Sequence, residues 1–124
     1  MKPNGLEIAN LKDYILIELK VGINFLEIMR GIASLFTMSA YQEKSDIWVL
    51  ANGNADFLYS DLHAIKSFAY EHYPETTKVQ KTAIVIETEL QRELANEYAK
   101  ICEDLPRKIG VFPNLKSAKE WIIR

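Results

Sequence analysis

Short apolar runs rich in β-branched residues alternate along this chain with longer stretches of helical periodicity. The runs lie at residues 14–21, 47–50, 82–86 and 108–112. The uninterrupted run 47–50 is typical of a strand buried on both faces, whereas Glu18 and Lys20 alternate along 14–21 and indicate one face that is partly exposed to water. Helices between the runs form βα crossovers. The order predicts a single α/β domain over residues 1–124. Its sheet is expected to be mainly parallel, with four to five strands built from successive βα units.

A hairpin is predicted at the start of the chain, with residues 6–9 pairing with the first run. Helices are predicted from Asn24 to about Gln42, from about 57 to 73, from 89 to 105, and in a short final segment capped by Asn114. Asn24 is predicted to cap the first helix, with Glu27 reaching back to the cap. The residues expected to face the core are Phe25, Ile28, Met29, Ile32, Leu35 and Phe36 in the first helix, Leu58, Leu62, Ile65, Phe68 and Ala69 in the second, and Leu90, Leu94, Tyr98, Ile101, Cys102 and Leu105 in the third.

The composition excludes several classes of protein. The 124 residues contain 15 basic and 17 acidic side chains, and this near-balance argues against a nucleic-acid partner. No uncharged apolar stretch approaches ~18 residues, so no membrane span is expected. With one cysteine and no secretory signal pattern, we expect a cytoplasmic protein without a disulfide framework.

The residues that carry chemistry form no recognisable catalytic or cofactor motif. The five glycines are scattered, so no phosphate-binding loop is expected. His63 and His72 are nine residues apart on one predicted helix and should point to opposite faces, which argues against a shared metal. Cys102 lies within an apolar stripe, where a thiol is inert. Glu43 and Asp46 are interpreted as solvated surface. We therefore expect no catalytic residues, no metal and no cofactor.

Polar residues follow the predicted strands at their carboxyl ends, where open α/β sheets bind ligands. These are Asn24, Asn52, Asn54, Asp56 and Glu87. Asn and Asp are also the ordinary residues of turns and helix caps, so both interpretations stay open.

The second predicted helix carries a stripe beside its core face, formed by Tyr59, His63, Lys66 and Tyr70. Tyr and His are common where partners dock, because each ring has an apolar body and a polar end. The alternative is a plain amphipathic flank. On the first helix, Leu26, Ala33, Thr37 and Ala40 form a similar stripe, which is either a partner surface or additional core contact.

The last third of the chain carries two strand motifs and one helix motif that resemble those of a known family. The run 81–86 begins with Lys81 and continues as an apolar Ala-Ile-Val strand, and the run 107–112 ends in Phe112. The final helix places Ala118 and Trp121 three residues apart. In these features the chain resembles the SpoIIAA-like (STAS-like) family of small bacterial domains.

The resemblance implies a right-handed βα superhelix whose strands are added largely in chain order. It also implies a non-enzymatic, cytosolic role in protein association or ligand sensing. The antagonists of anti-sigma factors in this fold carry a phosphorylated Ser in an Asp-Ser-Ser-Gly-Leu-like turn, whereas residues 51–56 here lack that motif. The departure favours the SpoIIAA-like branch, some of which resembles lipid-binding folds.

Three functional hypotheses follow. The first is a non-catalytic STAS-like regulatory module that binds an unknown protein or itself as a homodimer. The second is a domain that binds or senses a small apolar, lipid-like ligand between the first two long helices and the strand ends. The third is an enzyme, for which Asn52, Asp56 and Glu87 would be the first residues to test.

Overall fold

The structure, a computed structural model, describes residues 6–20, 24–50, 59–72, 80–105 and 107–124. For residues 59 and 60 it describes the backbone only. The described elements are, in chain order, β1 (Leu6–Asn10), β2 (Tyr14–Leu19), α1 (Phe25–Phe36), α2 (Ser39–Glu43), β3 (Ser45–Val49), α3 (Tyr59–His72), β4 (Lys81–Val85), α4 (Glu89–Ile101), β5 (Lys108–Phe112) and α5 (Leu115–Ile122).

The five described strands form one sheet in the chain order β1-β2-β3-β4-β5. β1 pairs with β2 in antiparallel orientation, and the other three pairs are parallel. The α/β class is confirmed, whereas the sheet is mixed rather than mainly parallel. The physical reason is the short connection between β1 and β2, where the Leu11 N–H donates to the Tyr14 carbonyl at 3.0 Å. A connection this short permits only antiparallel pairing, since parallel neighbours need a long crossover.

The two faces of the sheet are covered unequally. Ile17, Trp48 and Ile84 are register partners on one face, which packs against α1, α2, α3 and α4 and is called here the four-helix face. Ile47 and Ala83 are partners on the opposite face, which packs against α5 and is called the α5 face. Because side chains alternate along a strand, each central strand contributes to two separate cores.

The first predicted helix ends earlier than the sequence pattern indicates. α1 stops at Phe36, and a separate short helix α2 follows, whereas a single helix to about Gln42 was predicted. Met38 adopts an extended conformation (φ −80°, ψ 126°), and this breaks the helix. The Thr37 hydroxyl donates to the Ser34 carbonyl at 2.7 Å, a local bond that competes with helix continuation. At the other end, the predicted capping box between Asn24 and Glu27 is confirmed.

The orientation of α4 corrects the predicted core stripe. Leu90 was expected to face inward, but its exposed fraction is 52%, while Gln91 is buried at 1%. Gln91 occupies position N3 of a capping box with Thr88, and its Oε1 accepts the N–H groups of Glu87 and Thr88 at 2.6 and 3.1 Å. This cap fixes the rotation of the first turn, so the side chain of Gln91 rather than that of Leu90 faces inward.

The residues that carry the family resemblance meet on the α5 face. Ala83 and Ala118 are fully buried there, and the rings of Phe112 and Trp121 lie 5.2 Å apart between centroids. The Lys81 Nζ donates to the Trp121 carbonyl at 2.8 Å, at the carboxyl end of α5, where a cation is favoured. These residues therefore form the packing between α5 and the sheet.

Within the described ranges, none of the helices combines the length and the apolar character that crossing a membrane requires.

Candidate functional site

A cavity of about 150 Å³ lies between the four-helix face of the sheet and the helices that cover it. Its walls are mostly apolar: Ile32 and Leu35 come from α1, Leu62 and Ile65 from α3, and Leu94 from α4. These side chains are buried or half-buried because the apolar periodicity of each helix points them at the sheet. The packing of these helices on one face of the sheet thus leaves an apolar space that is partly open.

Among the described residues of this apolar wall are four buried polar side chains, namely Asp46, Thr82, Gln91 and Arg107. Asp46 and Thr82 are register partners on β3 and β4, so strand alternation places both on the four-helix face. Because buried polar groups are costly unless they are hydrogen-bonded, their partners determine what this wall can do.

Asp46 is the centre of the polar group, with an exposed fraction of 1%. Its Oδ1 accepts the Thr82 hydroxyl at 2.6 Å and the Arg107 Nη1 at 2.5 Å, and its Oδ2 accepts the Trp48 Nε1 at 2.8 Å. Burial raises the pKa of the Asp46 carboxyl, while Arg107 and the hydrogen bonds from Thr82 and Trp48 oppose that rise. Three donors converge on this carboxylate, which identifies it as an acceptor held in place.

Arg107 is held from several directions at once. Besides the bond to Asp46, its Nη2 donates to the carbonyl of Tyr41 and to that of Lys44, the latter at 3.0 Å. Its guanidinium carbon lies 3.7 Å from the centroid of the Tyr41 ring, a cation–π contact. Arg107 therefore ties α2 and the start of β3 to the start of β5.

The polar group lies at the amino ends of the strands. Asp46 and Thr82 are the second residues of β3 and β4, and Arg107 directly precedes β5. The polar residues that the sequence predicted at strand ends belong to the opposite, carboxyl edge. The buried polar side chains therefore lie at the edge of the sheet opposite to the one at which open α/β sheets generally bind ligands.

The predicted site residues lie elsewhere. Asn24, His63, Tyr70 and Glu87 are exposed, and none of them lines the cavity. The Asn24 side chain accepts the Glu27 N–H at 2.8 Å, which supports the interpretation of this residue as a helix cap. Tyr59 begins α3, and its side chain lies outside the described residues, as do Asn52, Asn54 and Asp56 entirely.

Cys102 is buried at the end of α4, as its place in the apolar stripe predicts. Burial raises the pKa of its thiol to about 11, a rise that a hydrogen bond with Tyr98 partly opposes. Because the thiolate is the nucleophile, such a thiol is unreactive near neutral pH.

The two histidines are both exposed on α3, and the His72 Nδ1 lies 3.0 Å from the Phe68 carbonyl. The described ranges hold no group of three or more His, Cys, Asp or Glu side chains arranged to bind a metal ion.

Asp46 and Arg107 were not predicted as site residues, and the interpretation of Asp46 as solvated surface is wrong, because both side chains are buried. One signal was available: Asp46 precedes Trp48 by two residues at the start of an apolar run, so the two share a face. A charge on a buried face needs a partner. That partner, Arg107, is 61 residues away in sequence, and only the sheet order brings the two together.

Comparisons with protein-family models, with curated proteins and with solved structures give no match to this chain. The resemblance to the SpoIIAA-like (STAS-like) family therefore stays a prediction from sequence motifs. The cavity and its polar wall are therefore the features from which a function is proposed below.

Proposed function

We propose that this chain binds a small, mostly apolar molecule in the cavity and acts as a sensor or carrier of it. The cavity itself supports this proposal: about 150 Å³ of space, lined mainly by aliphatic and aromatic side chains. An apolar cavity of this volume in another protein stays dry and binds benzene. Filling such a space is favourable because the lining atoms regain contacts that an empty cavity lacks.

The volume also limits the ligand. A volume of about 150 Å³ matches a single ring of about the size of benzene. The ligand that we propose is therefore smaller than the lipid-like molecule that the sequence resemblance suggested.

The proposed role is non-catalytic. Asp46 is the buried carboxylate of the cavity, and its oxygens accept hydrogen bonds from Thr82, Arg107 and Trp48. An acid–base or nucleophilic reaction usually needs a second reactive group beside the first, and the described lining of the cavity holds no His, Lys, Cys or second carboxyl group. The arrangement favours a binding wall over proton transfer.

Toluene is the probe for this function. At ten times its dissociation constant we expect it to raise the melting temperature by about 5 °C, because a ligand that binds only the folded state stabilises it. Calorimetric titration should show a single site. Ala95, which is buried and lines the cavity, provides the blocking variant Ala95→Leu, expected to abolish both effects.

Ala33→Leu is the matched control, since Ala33 is exposed on α1 and does not line the cavity. This variant should bind toluene like the unmodified protein. Ala69→Leu, at a second buried position of the wall, replaces Ala95→Leu if that variant fails to fold. Equal toluene binding by a folded Ala95→Leu or Ala69→Leu protein would contradict the proposal.

We propose, as a second candidate, a STAS-like regulatory module in the cytoplasm that associates with itself as a homodimer or with another protein. The supporting observation is the stripe on α1, where Leu26 is 56% exposed and Ala33 and Thr37 are exposed as well. The fourth residue of the predicted stripe, Ala40, lies on α2 and packs against the core, so the partner surface is proposed only for the three exposed residues. Exposed apolar side chains on one helix face are a common feature of interfaces.

Light scattering during gel filtration tests the homodimer. We expect twice the chain mass for the unmodified protein and a single chain mass for Leu26→Lys, because the charge would be buried in the interface. Leu90→Lys, at an equally exposed leucine of α4, is the matched control and should stay dimeric. A monomeric unmodified protein would exclude the homodimer.

A further inference from the structure

The polar wall of the cavity restricts the chemistry of its ligand beyond size. Asp46, Thr82 and Arg107 meet at one place in an otherwise apolar lining, and Trp48 lines the cavity beside them. A ligand in this space meets that group along part of its surface. Each polar atom of the wall already makes hydrogen bonds within the protein. These bonds determine which ligand groups the atom can still bind.

The guanidinium of Arg107 is committed to the protein. It bonds Asp46 and the carbonyls of Tyr41 and Lys44, and it lies against the ring of Tyr41. A ligand carboxylate would have to displace Asp46 from Arg107 and would meet the negative charge of Asp46 at close range. Burying such an uncompensated charge is strongly unfavourable, so the cavity disfavours anions.

The carboxylate of Asp46 retains capacity as an acceptor. Its Oδ1 already has two donors among the described residues, Thr82 and Arg107, whereas its Oδ2 has one, the Trp48 Nε1. A carboxylate oxygen accepts two hydrogen bonds, so Oδ2 can accept one more. A carboxylate accepts but does not donate, and hydrogen bonds to a charged acceptor are the stronger kind.

We propose that the cavity selects a small uncharged ring that carries one hydrogen-bond donor, of the phenol class, whose O–H donates to Asp46 Oδ2. This inference rests on the proposed binding function and specifies its ligand class. The apolar ring fills the space between α1, α3 and α4, and the single donor orients it toward β3. Neutral arenes without a donor fit the space but leave the acceptor position unused.

Three ligands of similar size test this on the unmodified protein: phenol, toluene and benzoate, by calorimetric titration at pH 7. We expect phenol to bind about tenfold more tightly than toluene, the ratio that one net hydrogen bond supplies. Benzoate should bind at least tenfold more weakly than toluene.

The two tryptophans provide a readout of position within the same protein. Trp48 bonds Asp46 on the four-helix face, whereas Trp121 packs against Phe112 on the α5 face. In a ¹⁵N-correlated spectrum, phenol should shift the indole N–H resonance of Trp48 and leave that of Trp121 in place. The variant Trp121→Phe assigns the two signals.

The outcomes separate the two proposals. Equal affinity for phenol and toluene would overturn the donor inference and leave the binding function standing. A phenol-induced shift at Trp121 alone would place phenol outside the cavity and would overturn the inference as well. Tighter binding of benzoate than of phenol would overturn the inference by showing that the wall takes an anion. If none of the three binds, both the inference and the binding function fail.

Discussion

Replacing Arg107 by methionine is expected to lower the free energy of unfolding by about 3–5 kcal/mol. The change leaves the carboxylate of Asp46, with an exposed fraction of 1%, without its cation in the interior. It also removes the bonds to the carbonyls of Tyr41 and Lys44, which join α2 and β3 to the start of β5. Urea unfolding followed by circular dichroism measures the loss.

Two variants show whether the loss comes from the buried charge. Arg92→Met removes a cation from a surface pair with Glu89, 3.6 Å apart, and should change stability by less than about 1 kcal/mol. The double variant Asp46→Asn/Arg107→Met removes the unpaired charge, so it should be more stable than Arg107→Met alone. The assignment of Arg107 as the partner of a buried charge is wrong if Arg107→Met costs no more than Arg92→Met.

Replacing Ile47 by alanine should lower the free energy of unfolding by about 2–5 kcal/mol. Ile47 is fully buried on the α5 face and packs with Ala83, Ala118 and Ile122. The shortened side chain leaves a void between the sheet and α5 that two alanines cannot fill. Because this core is separate from the one that holds the cavity, toluene binding should persist in the folded variant.

Ile123→Ala is the matched control for this substitution. Ile123 is 69% exposed at the end of α5, and a surface substitution of this kind changes stability by less than about 0.5 kcal/mol. If the two alanine variants unfold at the same urea concentration, the α5 face does not contribute a core of its own.

Much of the fold could be predicted from local patterns. The strand at residues 108–112 has the predicted bounds, and the capping box at Asn24 and the cap at Asn114 are confirmed. Apolar periodicity, cap residues and turns act over a few residues, so a single sequence displays them. The apolar pattern did not predict the break of the first helix at Met38, because local hydrogen bonds there compete with the bonds of the helix.

The candidate site could not be predicted in the same way. Asp46, Thr82 and Arg107 come from three separate strand starts, and each on its own resembles an ordinary polar residue at the edge of an element. From the sequence, a ligand site was considered at the carboxyl ends of the strands, because that is where α/β sheets generally bind ligands. The face to which Gln91 turns was likewise decided by a cap rather than by hydrophobicity.

The sequence by itself determined the α/β class and the alternation of strands and helices, because both follow from interactions between near neighbours. It also determined the inert, buried thiol of Cys102, because an apolar stripe of a helix is buried. Only the tertiary structure decided that Asp46 faces Arg107 and that a cavity of about 150 Å³ lies beside them. A pair separated by 61 residues forms because the strands assemble in chain order, and a cavity is what the packing of several helices leaves unfilled.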